Sequence, residues 1–276
     1  AAAACGCDVH AYYVSTPFQP AFELSDARRL ADSLKAKMTV LSFNVLENET
    51  VKKNPKDRCY YCKNEIFSHI LKAAASDGYK EIIDGTNASD DAGDRPGMRA
   101  LKELKILSPL RECGITKKAL RTYSRDAGLF TWNKPAYACL ATRIPCGIKI
   151  QPEVLQNVEW AESQLSSMGF EDFRVRVFPD PSGTDGAYAA RLQVAGRQLP
   201  LLMERRAELL SLLKEVFVCL FVCPSTGPGN QSFFPVVKYS TAKILRNILC
   251  YRTIRADNMQ IYPSDCGSAS FTKAVS

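Results

Sequence analysis

The chain has 276 residues, of which 46% are hydrophobic, and it carries a formal net charge of +7. This composition supplies a core for one large domain or two modest ones, and it excludes wholesale disorder. Mild basicity suits an anionic small molecule, whereas the scattered basic residues do not predict nucleic-acid binding. No apolar run reaches the ~18 residues of a membrane helix, so no membrane association is expected.

The chain contains eleven cysteines. An odd number of cysteines in a chain of this length argues against a secreted disulfide scaffold. We therefore expect a reducing intracellular compartment, the cytoplasm or an organelle. There, some cysteines act as small buried hydrophobes and a few act as ligands or nucleophiles.

The first part of the chain alternates between short β-rich runs and amphipathic helical runs. Val9–Ser15 and Thr39–Val45 are predicted to be strands, and Leu24–Leu34 is predicted to be a helix. Cys59–Ser76 has apolar residues at helical spacing, which predicts a long helix. This alternation indicates an α/β fold, a parallel sheet with helices on both faces.

The alternation continues to about residue 128. The predicted elements are a buried strand at Glu81–Asp84, a helix at Arg99–Leu104, a strand at Ile106–Leu110 and a helix at Lys117–Ala127. Ligands of parallel sheets bind beyond the carboxyl ends of the strands. The segments that begin at Ser15, Asp84 and Ser108 should therefore border the site.

Residues 132–147 contain two prolines and show no helical period, and we interpret them as an ordered active-site loop. After this loop the pattern changes to helix, strand, strand, helix. The predicted elements are Pro152–Gly169, Phe173–Phe178, Tyr188–Val194 and Leu199–Val216, followed by a strand at Phe217–Val222. We thus expect an α/β domain over residues 1–147, a small α+β domain over residues 148–222 and an irregular tail over residues 223–276.

The sharpest local motif is the Cys59-x-x-Cys62 pair at the predicted start of a helix. The positive helix end favours thiolates, and thiolates bind soft metals. Three interpretations stay open, namely half of a structural zinc site, a redox pair and two inert cysteines. A zinc site normally needs a second such pair, which the sequence lacks.

Cys139 lies in a loop that is rich in tryptophan, proline and basic residues. Lys134 and Arg143 are expected to lower the pKa of this thiol and to offer anion contacts, so all three residues are candidates for catalysis. The alternative is a buried loop cysteine. Together with Cys59 and Cys62, Cys139 forms a set of three thiolates.

Such a set can hold a 4Fe-4S cluster that leaves one iron open for an extra sulfide. Cys59, Cys62 and Cys139 are therefore the candidate metal ligands. Cys146 is a candidate for the open position, and in that case sulfur transfer is not expected.

Polar residues follow the strand that ends at Asp84. Gly85, Thr86 and Asn87 let backbone amides approach a nucleotide, and nearby carboxylates can hold Mg²⁺. Arg95 belongs to a second polar motif shortly afterwards and is also a candidate for cofactor binding. The alternative is an ordinary polar turn.

Arg174 and Arg176 alternate along a predicted strand, so both side chains lie on one face. Their spacing suits a phosphate or a carboxylate. Glu162, on the preceding helix, is expected to share that face. The alternative is a solvated strand face.

Taken in order, these motifs resemble those of the LarE family, the ATP-dependent sacrificial sulfur transferases of the PP-loop or N-type ATP pyrophosphatase superfamily. The resemblance runs from about Val9 to Val216. The motifs that carry it are Ser15-Thr16-Pro17-Phe18, Asn54-Pro55-x-Asp57-Arg58-Cys59-Tyr60-x-Cys62-Lys63, Asp84-Gly85-Thr86-Asn87-Ala88, Asp94-Arg95-Pro96-Gly97, Ser108-Pro109-Leu110, Trp132-x-Lys134-Pro135, Cys139-Leu140-Ala141-x-Arg143-Ile144-Pro145 and Arg174-Val175-Arg176.

The resemblance implies a Rossmann-like fold of the adenine nucleotide alpha hydrolase type. It also implies that ATP with Mg²⁺ adenylates a carboxylate of a pyridinium dicarboxylate mononucleotide, after which sulfur insertion gives a thiocarboxylate for nickel-pincer cofactor biosynthesis. Members with the cysteine pair and the third cysteine resemble cluster users. The resemblance places Asp84–Asn87 at the nucleotide, and Arg174 and Arg176 at the substrate phosphate. We expect a small-molecule nucleotide as the substrate and a homo-oligomer.

The sequence departs from the family pattern in several places. The Ser-Gly-Gly-x-Asp-Ser loop that cradles ATP phosphates is not found, Cys146 stands where a tyrosine is usual, Gln193 stands where an acidic residue is frequent, and no glycine-rich stretch is recognisable after Val222. We therefore expect an N-terminally truncated chain without the phosphate loop. Two alternative functions stay open, namely a non-catalytic paralogue that keeps a metal or cluster site, and a tRNA-thiolating ATP pyrophosphatase.

Overall fold

The computed structural model describes residues 6–90, 95–180 and 187–217, together with the backbone of two further strands at 219–225 and 234–238. The chain divides into two compact units, a first unit over Ala1–Gln164 and a second unit over Leu165–Ser276. The division lies within the helix that the sequence predicts as the start of the second domain, some residues after the expected boundary at 147.

The first unit mixes two strands with helices, in agreement with the predicted α/β class. Its elements in chain order are β1 (His10–Ser15), α1 (Ala21–Ser33), β2 (Lys37–Ser42), α2 (Glu49–Lys52), α3 (Arg58–Ser76), α4 (Pro96–Glu103), α5 (Pro109–Glu112), α6 (Lys117–Asp126) and α7 (Pro152–Ser167), which ends in the second unit. Short 3-10 helices lie at Val45–Glu47 and Leu140–Arg143. None of the described helices combines the length and the apolar character that crossing a bilayer requires.

The sheet of the first unit is smaller than predicted. β1 and β2 pair in parallel, from His10 opposite Lys37 to Ser15 opposite Ser42. The predicted strands at 81–84 and 106–110 are reduced, among the described residues, to one isolated parallel bridge between Ile83 and Leu107. Pro109, which has no N–H for a ladder, instead begins α5.

β2 also ends earlier than predicted, at Ser42 rather than at residue 45. The side chain of Asn44 accepts a hydrogen bond from the backbone N of Leu46 and thereby caps the 3-10 helix that follows. Asparagine competes in this way with extended structure, because its side chain replaces a backbone partner. Val45 and Leu46 are buried in this helical turn.

Helix α3 holds its place through an apolar face and through a close approach to α4. Ile70 and Ala74 are buried on α3. On α4, a Cβ added to Gly97 would meet Cδ and Cε of Lys63 at 3.2 Å. Gly97 therefore lets the aliphatic part of Lys63 cross α4 closely. The core of the first unit also includes Phe18, Val51, Leu101, Leu140, Ile144, Ile150, Leu155 and Val158.

The second unit contains a four-stranded sheet together with helices. Its strands β3 (Arg174–Pro179), β4 (Tyr188–Ala195), β5 (Cys219–Ser225) and β6 (Phe234–Lys238) lie side by side in that order. β4 and β5 pair in parallel, and the two outer pairs are antiparallel. β6 lies in the stretch expected to be irregular, whereas residues 239–276 of that stretch lie outside the described residues.

The single long helix predicted for residues 199–216 is two shorter helices, α8 (Leu199–Glu204) and α9 (Arg206–Leu213). Leu202 and Leu209 are buried, but the position one helical turn after Leu202 is Arg206. The apolar stripe is thus interrupted at Arg206, so an unbroken helix would not bury one continuous apolar face.

Candidate functional site

The three thiols singled out by the sequence come together in the first unit. Cys59 and Cys62 lie in the first turns of α3, and Cys139 directly precedes the 3-10 helix Leu140–Arg143. Cys62 experiences the charges of both Cys59 and Cys139, and Cys139 experiences the charge of Cys59. The helix and loop thiols therefore lie near enough to influence one another's ionisation.

The predicted lowering of the thiol pKa is wrong for Cys62 and Cys139. Burial, reinforced by Cys139 and Cys59, raises the pKa of Cys62 to about 12. Burial also raises the pKa of Cys139, and the opposing charges of Arg58 and Arg143 do not compensate. Burying a thiolate costs more free energy than its attraction to these cations contributes. Lys134 is not among the groups that mainly shift the pKa of Cys139.

The three thiols are donors of the kind found in zinc sites and in iron–sulfur clusters. Within the described part of the chain, no three or more His, Cys, Asp or Glu side chains are placed to hold a metal ion. In a 4Fe-4S cluster each cysteine binds a different iron, so its thiols need not converge on one point. Three soft, half-buried or exposed thiols in one electrostatic neighbourhood fit that chemistry better than a tetrahedral zinc site.

A polar clamp fastens the Cys139 loop to the start of α3. Asn54, buried and at φ 56°, donates from Nδ2 to the carbonyls of Pro145 at 2.8 Å and Ile148 at 3.2 Å. Arg58 donates from Nη1 to Oδ1 of Asn54 and, at 3.1 Å, to the carbonyl of Ala141. One buried network thereby sets where Cys59 lies relative to the loop.

Arg143 and Glu162 form a buried ion pair beneath the loop. Nε and Nη2 of Arg143 donate to the two carboxylate oxygens of Glu162 at 2.8 and 3.0 Å. Tyr137 donates its hydroxyl to the same carboxylate, and the Arg143 guanidinium lies 4.7 Å from the centre of its ring. The carboxylate of Glu162 is thus engaged by Arg143 and Tyr137 within the first unit, whereas Arg174 and Arg176 belong to the second unit.

Lys134 fastens the loop to α1 instead of approaching the thiols. Its Nζ donates to a carboxylate oxygen of Asp26 and lies 4.6 Å from the centre of the Phe22 ring. Burial lowers the pKa of Lys134, with Glu23 opposing the shift. The carbonyl of Lys134 accepts a hydrogen bond from Arg121 at 2.9 Å. This geometry gives Lys134 a positioning role.

The polar segment after residue 83 meets the next strand end as predicted. Oδ1 of Asp84 accepts hydrogen bonds from Oγ of Ser108 at 2.7 Å and from the backbone N of Thr86 at 3.1 Å. Oδ1 of Asn87 accepts from the backbone N of Ser89, and Asn87 is buried. The segment is therefore an ordered turn that directly follows the Ile83–Leu107 bridge.

Other members of the predicted nucleotide set are only partly placed. Gly85 has open space where a Cβ would lie, and Arg95 is exposed at the N-cap of α4. Ser15 ends β1 and accepts from the backbone N of Phe43, but among the described residues no hydrogen bond joins it to the Asp84–Asn87 turn. Asp91 and Asp94 lie outside the described residues.

In the second unit, Arg174 and Arg176 share one face of β3, as predicted. Both are partly exposed, whereas Val175 and Val177, which alternate with them along the strand, are buried. The two arginines line a cavity of about 260 Å³ together with Asp172 and Gln193. Nε of Arg176 donates to Oε1 of Gln193 at 3.4 Å. Gln193 is uncharged, so it does not neutralise Arg176 as an acidic residue at this position would. The described lining of the cavity therefore carries two positive charges and one negative charge, and Arg174 lies 3.8 Å from the carboxylate of Asp172.

The sequence-based site omitted Asn54 and Arg58 as functional residues, although both belong to the motif around Cys59. The available signal was Asn54-Pro55 ahead of the cysteine pair, since asparagine tolerates a left-handed backbone and bonds backbone groups. The carbonyls that it binds lie about ninety residues later, at 144–148, and no local pattern identifies them.

No family model matches the chain. It is 39% identical over 154 residues to the uncharacterised protein slr1717 of Synechocystis, covering 56% of this chain and 58% of that protein. It is 32% identical over 158 residues to the pyridinium-3,5-bisthiocarboxylic acid mononucleotide synthase of Lactiplantibacillus plantarum, covering 57% of each. It is 30% identical over 164 residues to the uncharacterised protein MJ0830 of Methanocaldococcus jannaschii, covering 62% of that protein. The chain thus spans about three fifths of the length of these relatives.

Proposed function

We propose that the chain belongs to the LarE family and that it serves in the transfer of sulfur to an activated carboxylate of a pyridinium dicarboxylate mononucleotide. The observation that carries this proposal is the meeting of Cys59, Cys62 and Cys139 in the first unit. The name of the Lactiplantibacillus relative, a bisthiocarboxylic acid mononucleotide synthase, supports the substrate class.

Adenylation by ATP with Mg²⁺ makes chemical sense for this substrate, since carboxylate oxygen leaves poorly and AMP leaves well. We propose a Rossmann-like first unit in which Ser15, Arg95 and the Asp84–Asn87 turn face the nucleotide. The open space at Gly85 supports this assignment because it lets a ligand approach the backbone. Arg174 and Arg176 then bind the substrate phosphate in the second unit.

Two ion pairs hold the Cys139 loop, one between Arg143 and Glu162 and one between Lys134 and Asp26. Arg143, gripped by Glu162, donates from Nη1 to the carbonyl of Ala138 at 3.1 Å, directly before Cys139. Lys134 holds the other end of the loop against α1. We propose that Arg143 and Lys134 act on the reaction by holding Cys139 in place. Among the three thiols, Cys139 is the one that we propose to take part directly in sulfur transfer.

We propose that Cys59, Cys62 and Cys139 hold a 4Fe-4S cluster when iron and sulfide are supplied. Such a cluster, held by three cysteines, supplies an iron with an open position for an additional sulfide. Because burial keeps the Cys62 and Cys139 thiols protonated, binding of iron must release their protons. We further propose that the protein acts as a homo-oligomer in a reducing intracellular compartment.

A second candidate is a paralogue that binds a cluster without hydrolysing ATP. The 276 residues do not contain the Ser-Gly-Gly-x-Asp-Ser loop, so the release of pyrophosphate distinguishes the two candidates. We expect no pyrophosphate release when these residues alone are mixed with ATP, Mg²⁺ and substrate. Pyrophosphate release above the no-enzyme rate would show that other residues bind the phosphates, and it would eliminate the second candidate.

The cluster proposal is tested by anaerobic reconstitution of the whole chain with iron and sulfide. We expect a brown protein with broad absorption near ~400 nm, the signature of thiolate-held iron and sulfide. Cys139→Ala should lose this absorption. Cys113→Ala is the matched control, since Cys113 is exposed at the end of α5 and belongs to none of the three positions. It should retain the colour.

Metal analysis gives the outcomes that would defeat the cluster proposal. A colourless protein with one tightly bound Zn²⁺ per chain would replace the cluster with a zinc site. Equal iron contents in the wild-type chain and in Cys139→Ala would remove the loop thiol from the ligand set.

A further inference from the structure

A cavity of about 190 Å³ opens in the first unit beside the start of α3. One wall comes from the segment that leads into α3 and includes Asn54, Lys56 and Cys59, and the other comes from the loop after Cys139 and includes Cys146. Sites for drug-sized ligands occupy about 300–1,000 Å³. This cavity is therefore too small for a mononucleotide and suits reactions between side chains and small reagents.

Two thiols face this cavity from opposite segments of the chain. Cys59 is exposed, and Cys146 is partly exposed. Cys62 and Cys139 are not among the described residues that line the cavity. The four thiols therefore divide into an inner pair, Cys62 and Cys139, and an outer pair, Cys59 and Cys146. Cys59 also senses the inner pair electrostatically.

The Asn54 clamp fixes both members of the outer pair. Its Nδ2 donates to the carbonyl of Pro145 at 2.8 Å, and its own carbonyl accepts from the backbone N of Gly147 at 2.8 Å. The residues on both sides of Cys146 are thus bound to Asn54. On the other wall, Arg58 donates to Oδ1 of Asn54 and directly precedes Cys59. One residue therefore holds Cys59 and Cys146 at a common cavity.

We infer that Cys59 and Cys146 form a dithiol site that exchanges with low-molecular-weight disulfides and closes into a disulfide across this cavity. One cysteine thiolate attacks a sulfur of the incoming disulfide, whose sulfur–sulfur bond breaks, so that one half leaves as a thiol. The second cysteine attacks the mixed disulfide and releases the other half. Two protein thiols are oxidised, the reagent is reduced to two thiols, and these carry away both protons.

The charge of the cavity suits an anionic reagent. Lys56 is exposed at its wall and offers a positive charge to the carboxylates of a disulfide such as oxidised glutathione. The disulfide also affects iron binding, and this effect rests on the proposed function. Cys59 bonded to Cys146 cannot bind iron, so the closed pair withdraws one of the three proposed cluster ligands. The disulfide itself does not depend on the cluster.

The whole chain, reduced and freed of iron, is incubated anaerobically with oxidised glutathione, alkylated and digested for peptide mass analysis. We expect the Cys59 peptide linked to the Cys146 peptide. Cys146→Ser should abolish this link, whereas Cys113→Ser, which removes an exposed cysteine outside the cavity, should keep it. A predominant link between Cys59 and Cys62, or glutathione adducts without a protein disulfide, would overturn the inference.

A second measurement separates this inference from the proposed function. After glutathione treatment, wild-type iron loading should fall severalfold relative to the reduced chain, and Cys146→Ser should lose iron loading only in proportion to the glutathione that its Cys59 peptide retains. If the reduced wild-type chain binds no cluster, the proposed function fails, while the cross-link still decides the inference. If reduced Cys146→Ser loses iron as well, Cys146 is a ligand, and its role as an exchange partner is refuted.

Discussion

Arg143 carries a full charge into the interior of the first unit, where only 1% of its surface is exposed. Three of its nitrogen atoms donate hydrogen bonds, two of them to the carboxylate of Glu162. A buried charge is tolerated only when it is paired and hydrogen-bonded. The pair therefore ties the Cys139 loop to α7 at a site that permits little substitution.

We expect Arg143→Ala to lower the free energy of unfolding by about 3–5 kcal/mol, because it leaves the Glu162 carboxylate buried without its partner. Urea denaturation measures this loss. The double variant Arg143→Met with Glu162→Met is the control, since it removes both charges and should recover most of the lost stability. A loss below about 1 kcal/mol in Arg143→Ala would mean that water reaches the pair.

Tyr13 carries a buried polar group that is uncharged, its hydroxyl. Its hydroxyl is buried and has no hydrogen-bond partner among the described residues. Burial, followed by the charge of Glu23, raises the pKa of Tyr13 from its ordinary 10.0 to about 12. Between these two values the unfolded chain loses the proton while the folded chain keeps it. The stability that the protonated phenol supplies below pH 10 is therefore lost as the pH rises towards 12.

We expect Tyr13→Phe to be as stable as the wild type near neutral pH or more stable by about 1 kcal/mol, because it removes an unpaired buried hydroxyl. From pH 10 to pH 12 the variant should lose less stability than the wild type. Urea midpoints of both chains at neutral and alkaline pH test this, since the remaining tyrosines and lysines are common to both. Parallel curves for the two chains would contradict the shifted pKa.

At the scale of elements, the start of α3 and the Cys139 loop act as one body because Asn54 joins them. Its side chain supplies hydrogen bonds to loop carbonyls, and its backbone occupies the left-handed region at φ 56°. These two contributions can be separated by substitution. Glycine keeps the backbone conformation and removes the side chain, whereas alanine removes the side chain and adds strain.

We expect Asn54→Gly to weaken iron loading with a moderate loss of stability, because the loop loses its side-chain anchor. Asn54→Ala should cost about 1–2 kcal/mol more than Asn54→Gly, which is the strain of a left-handed Cβ. Urea denaturation and the absorption of the reconstituted protein are measured in parallel. Equal stabilities would contradict the backbone contribution, and normal iron loading in both variants would contradict the clamp.

The sequence predicts best those elements whose determinants are local. The sequence predicts helix α3 over Cys59–Ser76, and the helix begins only one residue earlier. The agreement is close because neighbouring residues determine both the apolar spacing and the end of the helix. The strand predicted at Ile106–Leu110 became a bridge, since pairing depends on partners far along the chain. The site follows the same division. The convergence of the thiols followed from ordered motifs, but the raised pKa of Cys62 depends on burial by distant segments.

At the scale of the whole molecule, the two candidate binding functions lie on different compact units. The thiols belong to the first unit, and the arginine cavity with Arg174 and Arg176 belongs to the second. Each unit supplies its own local chemistry, soft sulfur donors in one and positive charge in the other. Disabling one site should therefore leave the ligand of the other site bound as before.

We expect Arg176→Ala to weaken binding of inorganic phosphate by about tenfold or more, because a charge-assisted hydrogen bond is worth about 1.5–3 kcal/mol. Calorimetric titration measures this affinity. Arg197→Ala is the matched control, since Arg197 lies in the same unit, is exposed and pairs with Glu171 at 3.9 Å. The reconstituted Arg176→Ala protein should keep its colour, and Cys139→Ala should keep its phosphate affinity. A variant that lost both properties would show that the two sites depend on each other, and equal phosphate affinities in Arg176→Ala and Arg197→Ala would refute an anion site on β3.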